Sequence, residues 1–555
     1  MRGCHSADIP LVVGPPSCGP LWRWRVSGLG MVWCLVVGGA AWTGGAIAGA
    51  QEAVSLPEVL PDHIELIELI STEGQPTQVT VHRAVPVPEP ERKRVRLSTE
   101  RARENLLAAG SEVGAEGACA AERTADGEGP HIRLRATGRG PCRLGLAMAR
   151  GNMALDVLSG SALQLRGAGF SAQALTLTDR HGRQTTVELP AQSVPGPPSV
   201  EIPLAPFARE VDVRDIVAMT LGLTLTGEPA TLDAIDLVGG LHERASLGVG
   251  FWVWEFAEAA RNPEGIISAC LAQGCRRLLI QMPASGDPDS EWERYADLLA
   301  RVQAAGLDAY ALDGAPEFVR HPAPLVATLR RLAAFTGASP PRGIQLDLEP
   351  YLLKDFAEQA DGYQQYLAVV RAIKAMVDPR TRLSIVMPFW FATVRVDRRP
   401  VAFAVMDVVD EVAVMSYRTD PDELQAIADD TLRYGDLAGT PVWLAVETRA
   451  LPEEHHLQLQ RVAARGLATA YVERAARRLI LAPPPSGERG EWFRVVRRYT
   501  VRSERLSYSG QSQAAVRQVV ATLLGRVSNR SFAGLLIHDL TGFRLLQPGA
   551  ALQRE

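Results

Sequence analysis

Residues 343–351, Gly-Ile-Gln-Leu-Asp-Leu-Glu-Pro-Tyr, alternate apolar and polar side chains with a period of two, which predicts a β-strand. The polar face of this strand carries Gln345, Asp347 and Glu349. Parallel strands are normally apolar on both faces, and buried carboxylates are costly unless they are paired or solvated. Pro350 ends the strand, so Glu349 lies at its carboxyl end, where α/β barrels place their active sites.

Strand and helix patterns alternate from Gly248 onward. Eight strands are predicted, over residues 248–255, 276–282, 307–313, 343–349, 383–389, 411–417, 441–447 and 532–538. Between them, 291–304 and 363–376 carry apolar side chains at helical spacing. This order predicts the α/β class and a (β/α)8 TIM barrel over 243–548. The gap before the last strand is too long for one helix and predicts an insertion at 449–510, with a hairpin over 492–508.

The region that precedes the barrel has a different pattern. Residues 129–242 form short alternating runs separated by turn residues, which predicts an all-β sandwich. The run at 230–238 resembles the last strand of jelly-roll carbohydrate-binding modules, and a purely structural sandwich is the alternative. Residues 51–128 are a poorly defined segment, in which 86–94 is typical of a solvated spacer.

Residues 1–50 have the features of a signal peptide. Arg23 and Arg25 precede an apolar run that ends at Ala48-Gly49-Ala50, a small-x-small cleavage pattern. An uncleaved membrane anchor is the alternative, because the run has roughly the 20 residues that a spanning helix needs. We therefore expect a periplasmic or extracellular protein, with no membrane contact beyond this signal. A composition rich in Arg, Ala and Gly and poor in Lys suggests a bacterial source.

The cysteines that follow the signal are even in number, which permits disulfides in an exported protein. We predict a bridge between Cys119 and Cys142, whereas Cys270 and Cys275 fit either a bridge or two buried thiols. No cysteine has metal-ligand spacing with a histidine, so no metal and no cofactor are predicted. A net charge of −5 gives no electrostatic reason to expect nucleic acid. The oligomeric state is left open.

Polar or aromatic residues occupy the end of every predicted barrel strand. In chain order they are Trp252, Trp254, Glu255, Gln281, Asp313, Asp347, Glu349, Tyr351, Trp390, Tyr417, Arg418, Glu447, His538 and Asp539. One such residue could be an ordinary core group. Polar or aromatic residues at all eight strand ends on one side of a barrel predict a functional site. Carboxylates suit glycoside cleavage, in which one acid protonates the leaving oxygen and a second group stabilises the transition state. Aromatic rings can stack on sugars. Asp347, Glu349, Tyr417 and Glu447 are the catalytic candidates, and the others are predicted to bind substrate.

Two of these strand ends resemble motifs of glycoside hydrolase family 18, the chitinase-like barrels. The fourth strand of that family ends in Asp-x-x-Asp-x-Asp-x-Glu and its sixth carries Met-x-Tyr, similar to 343–349 and 415–417 here. The resemblance covers about 245–545. It implies that Glu349 is the general acid, that Asp347 orients a substrate N-acetyl group acting as internal nucleophile, and that Tyr417 binds this group. Gln345 replaces the middle Asp, and the eighth strand lacks the usual Trp.

A second resemblance concerns retaining glycosidases with an acid Glu at the end of strand four and a nucleophilic Glu at the end of strand seven. Glu349 and Glu447 take these positions, and Glu349-Pro350 is similar to the Asn-Glu-Pro of that clan except that Leu348 replaces the Asn. Glu349 is the proton donor and the mechanism is retaining in both schemes. The two differ in the identity of the nucleophile.

A secreted glycosidase acting on a polysaccharide is the leading hypothesis. A barrel that binds glycans without cutting them is the first alternative. The second is a metal-dependent polysaccharide deacetylase that would draw on Asp313, Asp347, His538 and Asp539. Against this last class, no His-x-His or His-x-x-x-His pattern lies at a strand end.

Overall fold

The described part of the chain, in a computed structural model, covers the barrel almost completely and the N-terminal region in pieces. It comprises 53–56, 64, 66–72, 75–82, 94–95 and 103–548, except for 110–111, 127–128, 148–153, 161, 180–181, 190–198, 228, 240–242, 338, 354–355, 357–360, 397–398 and 487–489. The predicted signal peptide at 1–50 and nearly all of the predicted spacer at 86–94 lie outside the described residues.

A closed barrel of eight parallel strands forms the centre of the fold. In chain order its strands are β1 (Gly248–Val253), β2 (Arg277–Gln281), β3 (Asp308–Asp313), β4 (Gly343–Leu346), β5 (Arg382–Pro388), β6 (Glu411–Met415), β7 (Val442–Glu447) and β8 (Phe532–His538). The pairing of β8 with β1 closes the ring. The predicted (β/α)8 barrel is confirmed, and each strand begins within one residue of its predicted start.

Helices alternate with these strands. Those of the described chain are α1 (Phe256–Arg261), α2 (Pro263–Ala272), α3 (Asp289–Ala304), α4 (Ala323–Thr336), α5 (Gly362–Met376), α6 (Val401–Met406), α7 (Pro421–Ala438), α8 (Ser503–Leu506), α9 (Gln513–Arg526) and α10 (Leu540–Leu545). The apolar stripe of α3, which includes Trp292 and Tyr295, is buried against the barrel. The Tyr295 hydroxyl donates to the Ile280 carbonyl of β2 at 2.8 Å. The apolar face of α3 therefore covers β2, as the periodicity predicts.

The polar face of β4 begins inside the barrel. Gln345 is fully buried, and its Oε1 accepts a hydrogen bond from Nε1 of Trp252 at 2.5 Å. Its Nε2 donates to the Ser384 hydroxyl of β5 at 2.9 Å. These hydrogen bonds offset the cost of burying the amide, and they cross-link β1, β4 and β5 beneath the strand ends.

Two sheets precede the barrel, and their strands pair antiparallel except for the parallel pair of Arg94–Val95 with Ala154–Leu155. One contains Arg94–Val95, Glu112–Gly117, Cys142–Ala147, Ala154–Leu155, Phe170–Asp179, Gln184–Glu188 and Ile216–Leu225; the other contains Arg103–Asn105, Cys119–Asp126, Gly129–Ala136, Ala162–Ala168, Ser199–Pro203 and Ala230–Val238. Both contribute to one continuous buried core, with Leu177 and Leu221 from the first and Leu165 and Leu232 from the second. The sheets also include strands between 94 and 126. Glu112–Gly117 buries none of its side chains fully, so it gives little alternating apolar signal in the sequence.

A third sheet joins two distant parts of the chain. Its strands, in spatial order, are Ala53–Ser55, Arg478–Ile480, Ala470–Glu473, Glu491–Val501, Glu454–Arg461, Leu66–Thr72 and Gln75–His82. Ile67 and Leu69 from the N-terminal strands share a buried core with Leu459 and Phe493 from the insertion between β7 and β8. The expected hairpin over 492–508 is instead one long strand followed by α8, because Glu491–Val501 pairs with Glu454–Arg461.

Two disulfides are present among the described residues. Cys119–Cys142 joins the two sheets of the sandwich region with a Cα–Cα separation of 5.4 Å, as predicted. Cys270–Cys275 joins the end of α2 to the residues before β2, with a Cα–Cα separation of 4.9 Å. Of the two readings that the sequence left open for this second pair, the structure has the bridge. Among the described helices, none is long and apolar enough to cross a membrane.

Candidate active site

Strand β4 ends at Leu346, short of its predicted end at 349, and Glu349 lies in the turn that follows. Its φ of 28° and ψ of 59° lie in the left-handed region, where non-glycine residues are uncommon. Apart from glycines, Arg477 is the other described residue with a positive φ. Glu349 precedes the short 3₁₀ helix Pro350–Leu352, so the strand turns sharply at the carboxylate. Such strained positions are concentrated at functional sites.

Asp347 and Glu349 form an interacting pair of half-buried carboxyl groups. Burial raises the pKa of Asp347 well above its ordinary value, and the Glu349 carboxylate raises it further. Burial also raises the pKa of Glu349. The Oδ1 atom of Asp347 is buried and has no hydrogen-bond partner among the described residues. The pair therefore retains a proton at a higher pH than two isolated carboxyl groups would.

Tyr351 lies next to this pair. Its hydroxyl donates a short hydrogen bond to Oε1 of Glu349, and this bond favours the ionised form of the glutamate. The Tyr351 ring meets the half-buried Trp390 ring edge to face, with centroids 4.8 Å apart. The predicted residues Glu349, Tyr351 and Trp390 thus form one cluster of acid and aromatic groups.

Glu447, at the end of β7, is held by three hydrogen bonds. Its Oε1 accepts the backbone N–H of Thr448 at 2.8 Å and that of Arg449 at 2.7 Å. Its Oε2 lies 2.8 Å from Nδ1 of His538. The side chain is 3% exposed. Both oxygens of Glu447 therefore have partners within the protein.

His538, at the end of β8, lies between Glu447 and Trp254. Its Nε2 is 3.0 Å from the indole Nε1 of Trp254. Burial lowers the pKa of His538 and Glu447 raises it, with a net shift upward. The Trp252 ring centroid lies 5.6 Å from the imidazole, but Trp252 is only 1% exposed and belongs to the barrel interior. Of the two predicted tryptophans on β1, Trp254 is the half-buried one.

Arg449 ties two other predicted binding residues together. Its Nη2 donates to Glu255 at 2.6 Å, and its Nε lies 3.0 Å from both oxygens of Asp539. Asp539 also accepts the N–H of Gly542 at 2.7 Å and so caps α10. Glu255 and Asp539 therefore brace the β1, β7 and β8 ends. Arg449 was not predicted, and its only sequence signal is its position two residues after Glu447.

Asp313 borders the pair from β3. Burial raises its pKa to about 6. Its carbonyl accepts the N–H of Asp347 at 3.0 Å. The next residue, Gly314, packs against Asp347 so closely that an added Cβ would lie 2.7 Å from the Asp347 Cβ. Gly314 was also missed, since a glycine after a strand is an unremarkable turn signal.

The remaining predicted residues occupy the rim. Tyr417 is half-buried, and burial together with the nearby carboxylates raises its pKa well above the ordinary value. Arg418 donates to the Tyr417 carbonyl at 2.7 Å and lies 5.5 Å from the Phe389 ring. Gln281 is half-buried at the end of β2. Within the described residues, no group of three or more His, Cys, Asp or Glu side chains could hold a metal ion.

Comparisons with known proteins returned structural similarity alone. No protein-family model and no curated protein sequence matches the chain. The spore cortex-lytic enzyme SleL of Bacillus cereus is 10% identical with a TM-score of 0.29, over 62% of this chain and 80% of that one. A chitinase of Chromobacterium violaceum is 12% identical with a TM-score of 0.30, over 54% and 96%. A class V chitinase of Nicotiana tobaccum is 12% identical with a TM-score of 0.31, over 54% and 95%.

These values are too low to carry an argument about activity. The closed barrel of eight parallel strands in this chain is what establishes the predicted (β/α)8 fold.

Proposed function

We propose that this chain is a glycoside hydrolase that cleaves a polysaccharide, with Glu349 as the general acid. The observation that carries the proposal is the Asp347–Glu349 pair at the end of β4, whose pKa values are raised by burial and which lies beside aromatic side chains. A carboxylic acid whose pKa is raised by its surroundings is what protonation of a leaving glycosidic oxygen requires.

The two carboxyl groups have complementary roles in this proposal. The pair shares one proton, since mutual repulsion disfavours ionisation of both groups at once. Glu349 delivers this proton to the leaving oxygen, and Asp347 is the negative partner while Glu349 holds it. The orphaned Oδ1 of Asp347 remains available to a donor on the substrate. The amide N–H of an N-acetylated sugar is a donor of this kind.

The nucleophile follows from the hydrogen bonds of Glu447. Glu447 accepts two backbone N–H groups, pairs with His538 and is only 3% exposed, so these bonds lower its nucleophilicity and its burial limits its approach to a sugar. We therefore favour retention through the substrate N-acetyl group, oriented by Asp347 and Tyr417, over a covalent intermediate on Glu447. The substrate class is then a polymer that contains N-acetylated sugars.

The proposed location is periplasmic or extracellular. The two disulfides, Cys119–Cys142 and Cys270–Cys275, support it because stable disulfides belong mainly to oxidising compartments. Polysaccharides accessible to an exported protein are consistent with the proposed chemistry. The sandwich region is proposed to contact carbohydrate, on the basis of its resemblance to jelly-roll modules.

The test is release of reducing ends from chitin, chitosan, peptidoglycan glycan strands, β-glucan and xylan. We expect turnover of an N-acetylated polymer, and loss of at least about 10³-fold in Glu349→Gln. Glu317→Gln, an exposed glutamate of the segment after β3, is the matched control and should retain full activity. Retained glycan binding with no turnover by the wild-type protein would instead identify a non-catalytic binding barrel.

A further inference from the structure

The imidazole of His538 is held on both sides by residues from other strands. Glu447 comes from β7 and contacts Nδ1, whereas Trp254 follows β1 and contacts Nε2. The end of the eighth strand thus presents a histidine whose two ring nitrogens both have hydrogen-bond partners.

The donor and acceptor roles follow from the chemistry of the indole. A tryptophan Nε1–H can only donate, so Nε2 of His538 must be the acceptor. The ring proton then lies on Nδ1 and is donated to Glu447. Because Oε1 of Glu447 is fixed by the N–H groups of Thr448 and Arg449, the carboxylate cannot turn away. One chain of hydrogen bonds therefore runs from the backbone after β7, through Glu447 and His538, to the indole of Trp254.

Of the two indoles near the end of β1, that of Trp254 remains available to a ligand. Trp252 is buried in the barrel, and its N–H is used by Gln345. Trp254 is half-buried. It follows β1 at the carboxyl end of the barrel, the same end at which Asp347 and Glu349 follow β4. A free indole would rotate about two side-chain torsions, and a hydrogen bond at Nε1 fixes the plane of its ring. A ring held in one plane can stack on a sugar without further ordering cost.

We propose that His538 is a positioning residue that holds Trp254 as a sugar-stacking surface, and that Glu447 is the anchor of His538. This inference rests on the proposed glycosidase function and deepens it. The titratable groups around the imidazole are Glu447, Asp347, Glu349, Asp539 and Tyr417. A second proton on the imidazole would place two donors, Nε2–H and the indole N–H, against each other. The hydrogen bond between His538 and Trp254 therefore requires the neutral form of His538.

The direct test is the indole N–H resonance of Trp254 in the full-length protein, assigned by its disappearance in Trp254→Phe. We expect His538→Ala to move this resonance upfield, because a hydrogen bond to nitrogen deshields the proton. Acidification of the wild-type protein should move it in the same direction. His321→Ala, at an exposed histidine outside the site, is the control and should leave it in place. An unchanged resonance in a folded His538→Ala protein would overturn the proposal.

The kinetic test separates binding from chemistry. His538→Ala and Trp254→Ala should each raise KM for the polysaccharide about tenfold, equivalent to about 1.4 kcal/mol, with kcat within about threefold of wild type. The double variant should be no worse than either single variant. His538→Gln, whose amide can accept from the indole, should recover most of the KM. Additive effects in the double variant would contradict a shared role.

Different results would contradict the glycosidase function and the link between His538 and Trp254. A wild-type protein that turns over no polysaccharide contradicts the glycosidase function, and the substrate role of Trp254 falls with it. The NMR measurement needs no substrate and decides the His538–Trp254 link in that case too. If His538→Ala does not fold, Glu447→Gln provides the second variant. It removes the charge that orients the imidazole and should shift the same resonance in the same direction.

Discussion

At the scale of single residues, the proposed chemistry depends on how Asp347 and Glu349 share a proton. Burial raises both pKa values, and Tyr351 acts in the opposite direction on Glu349 by donating to its carboxylate. The sequence alone located both acids, because polar residues in an otherwise apolar strand pattern are conspicuous. It could not reveal the left-handed backbone of Glu349 or the hydrogen bond from Tyr351, which depend on the turn after β4.

Tyr351→Phe is predicted to move the basic limb of the pH profile to higher pH. The phenol stabilises the ionised form of Glu349, so its removal raises the pKa of the glutamate further. A general acid is active while protonated, and activity is lost as the pH rises through this pKa. The measurement is kcat/KM against pH. Tyr363→Phe, in the same aromatic cluster but without this bond, should leave the limb in place. A limb that moves to lower pH in Tyr351→Phe would contradict the assignment.

At the scale of elements, the barrel could be predicted and the details of its rim could not. Strand starts follow from hydrophobic periodicity, which is a local property of the chain. Contacts between strand ends are non-local. Glu447 looks like a free carboxylate in sequence, but the N–H groups of Thr448 and Arg449 and the imidazole of His538 satisfy it. The sequence therefore allowed two nucleophiles, and the hydrogen bonds of the rim favour one.

Gly314 sets how closely the end of β3 approaches β4. An added Cβ would overlap the Asp347 carbonyl and lie 2.7 Å from its Cβ, so Gly314→Ala should displace Asp347. A displacement of about 1 Å can cost about 10²-fold in rate, and we expect a loss of about 10- to 100-fold in kcat/KM. Gly286→Ala is the matched control, since nothing lies within 4 Å of its added Cβ. Wild-type activity in Gly314→Ala would show that the position of Asp347 is unimportant.

At the scale of the whole molecule, the third sheet is the feature that no local pattern could reveal. Gln458 donates to Glu68 across a sequence separation of 390 residues, so N-terminal strands complete a sheet that belongs to the insertion in the barrel. Short strands with mixed polar faces have no strong periodicity of their own. The sequence consequently predicted a linker and a hairpin, where the described strands form one shared core.

Ile67→Ala is predicted to destabilise the insertion between β7 and β8, although Ile67 is far from the insertion in sequence. Ile67 is fully buried in the core shared with Phe493, and such a truncation costs about 2–5 kcal/mol. Hydrogen exchange should become faster in Glu454–Arg461 and Glu491–Val501 and stay unchanged in the barrel strands. Val496→Ala, at a position 43% exposed on the same sheet, should have little effect. Unchanged exchange in the insertion after Ile67→Ala would refute the shared core.

The most direct test of the central claim is how the activity of the Glu349→Ala variant depends on the leaving group of the substrate. The substrates are aryl glycosides of the sugar that the polysaccharide assay identifies, with phenols of graded acidity. A good leaving group needs no proton from the enzyme. We predict a loss of at least about 10³-fold with the least acidic phenol and nearly full activity with 2,4-dinitrophenol. An equal loss with every phenol would show that Glu349 is not the general acid.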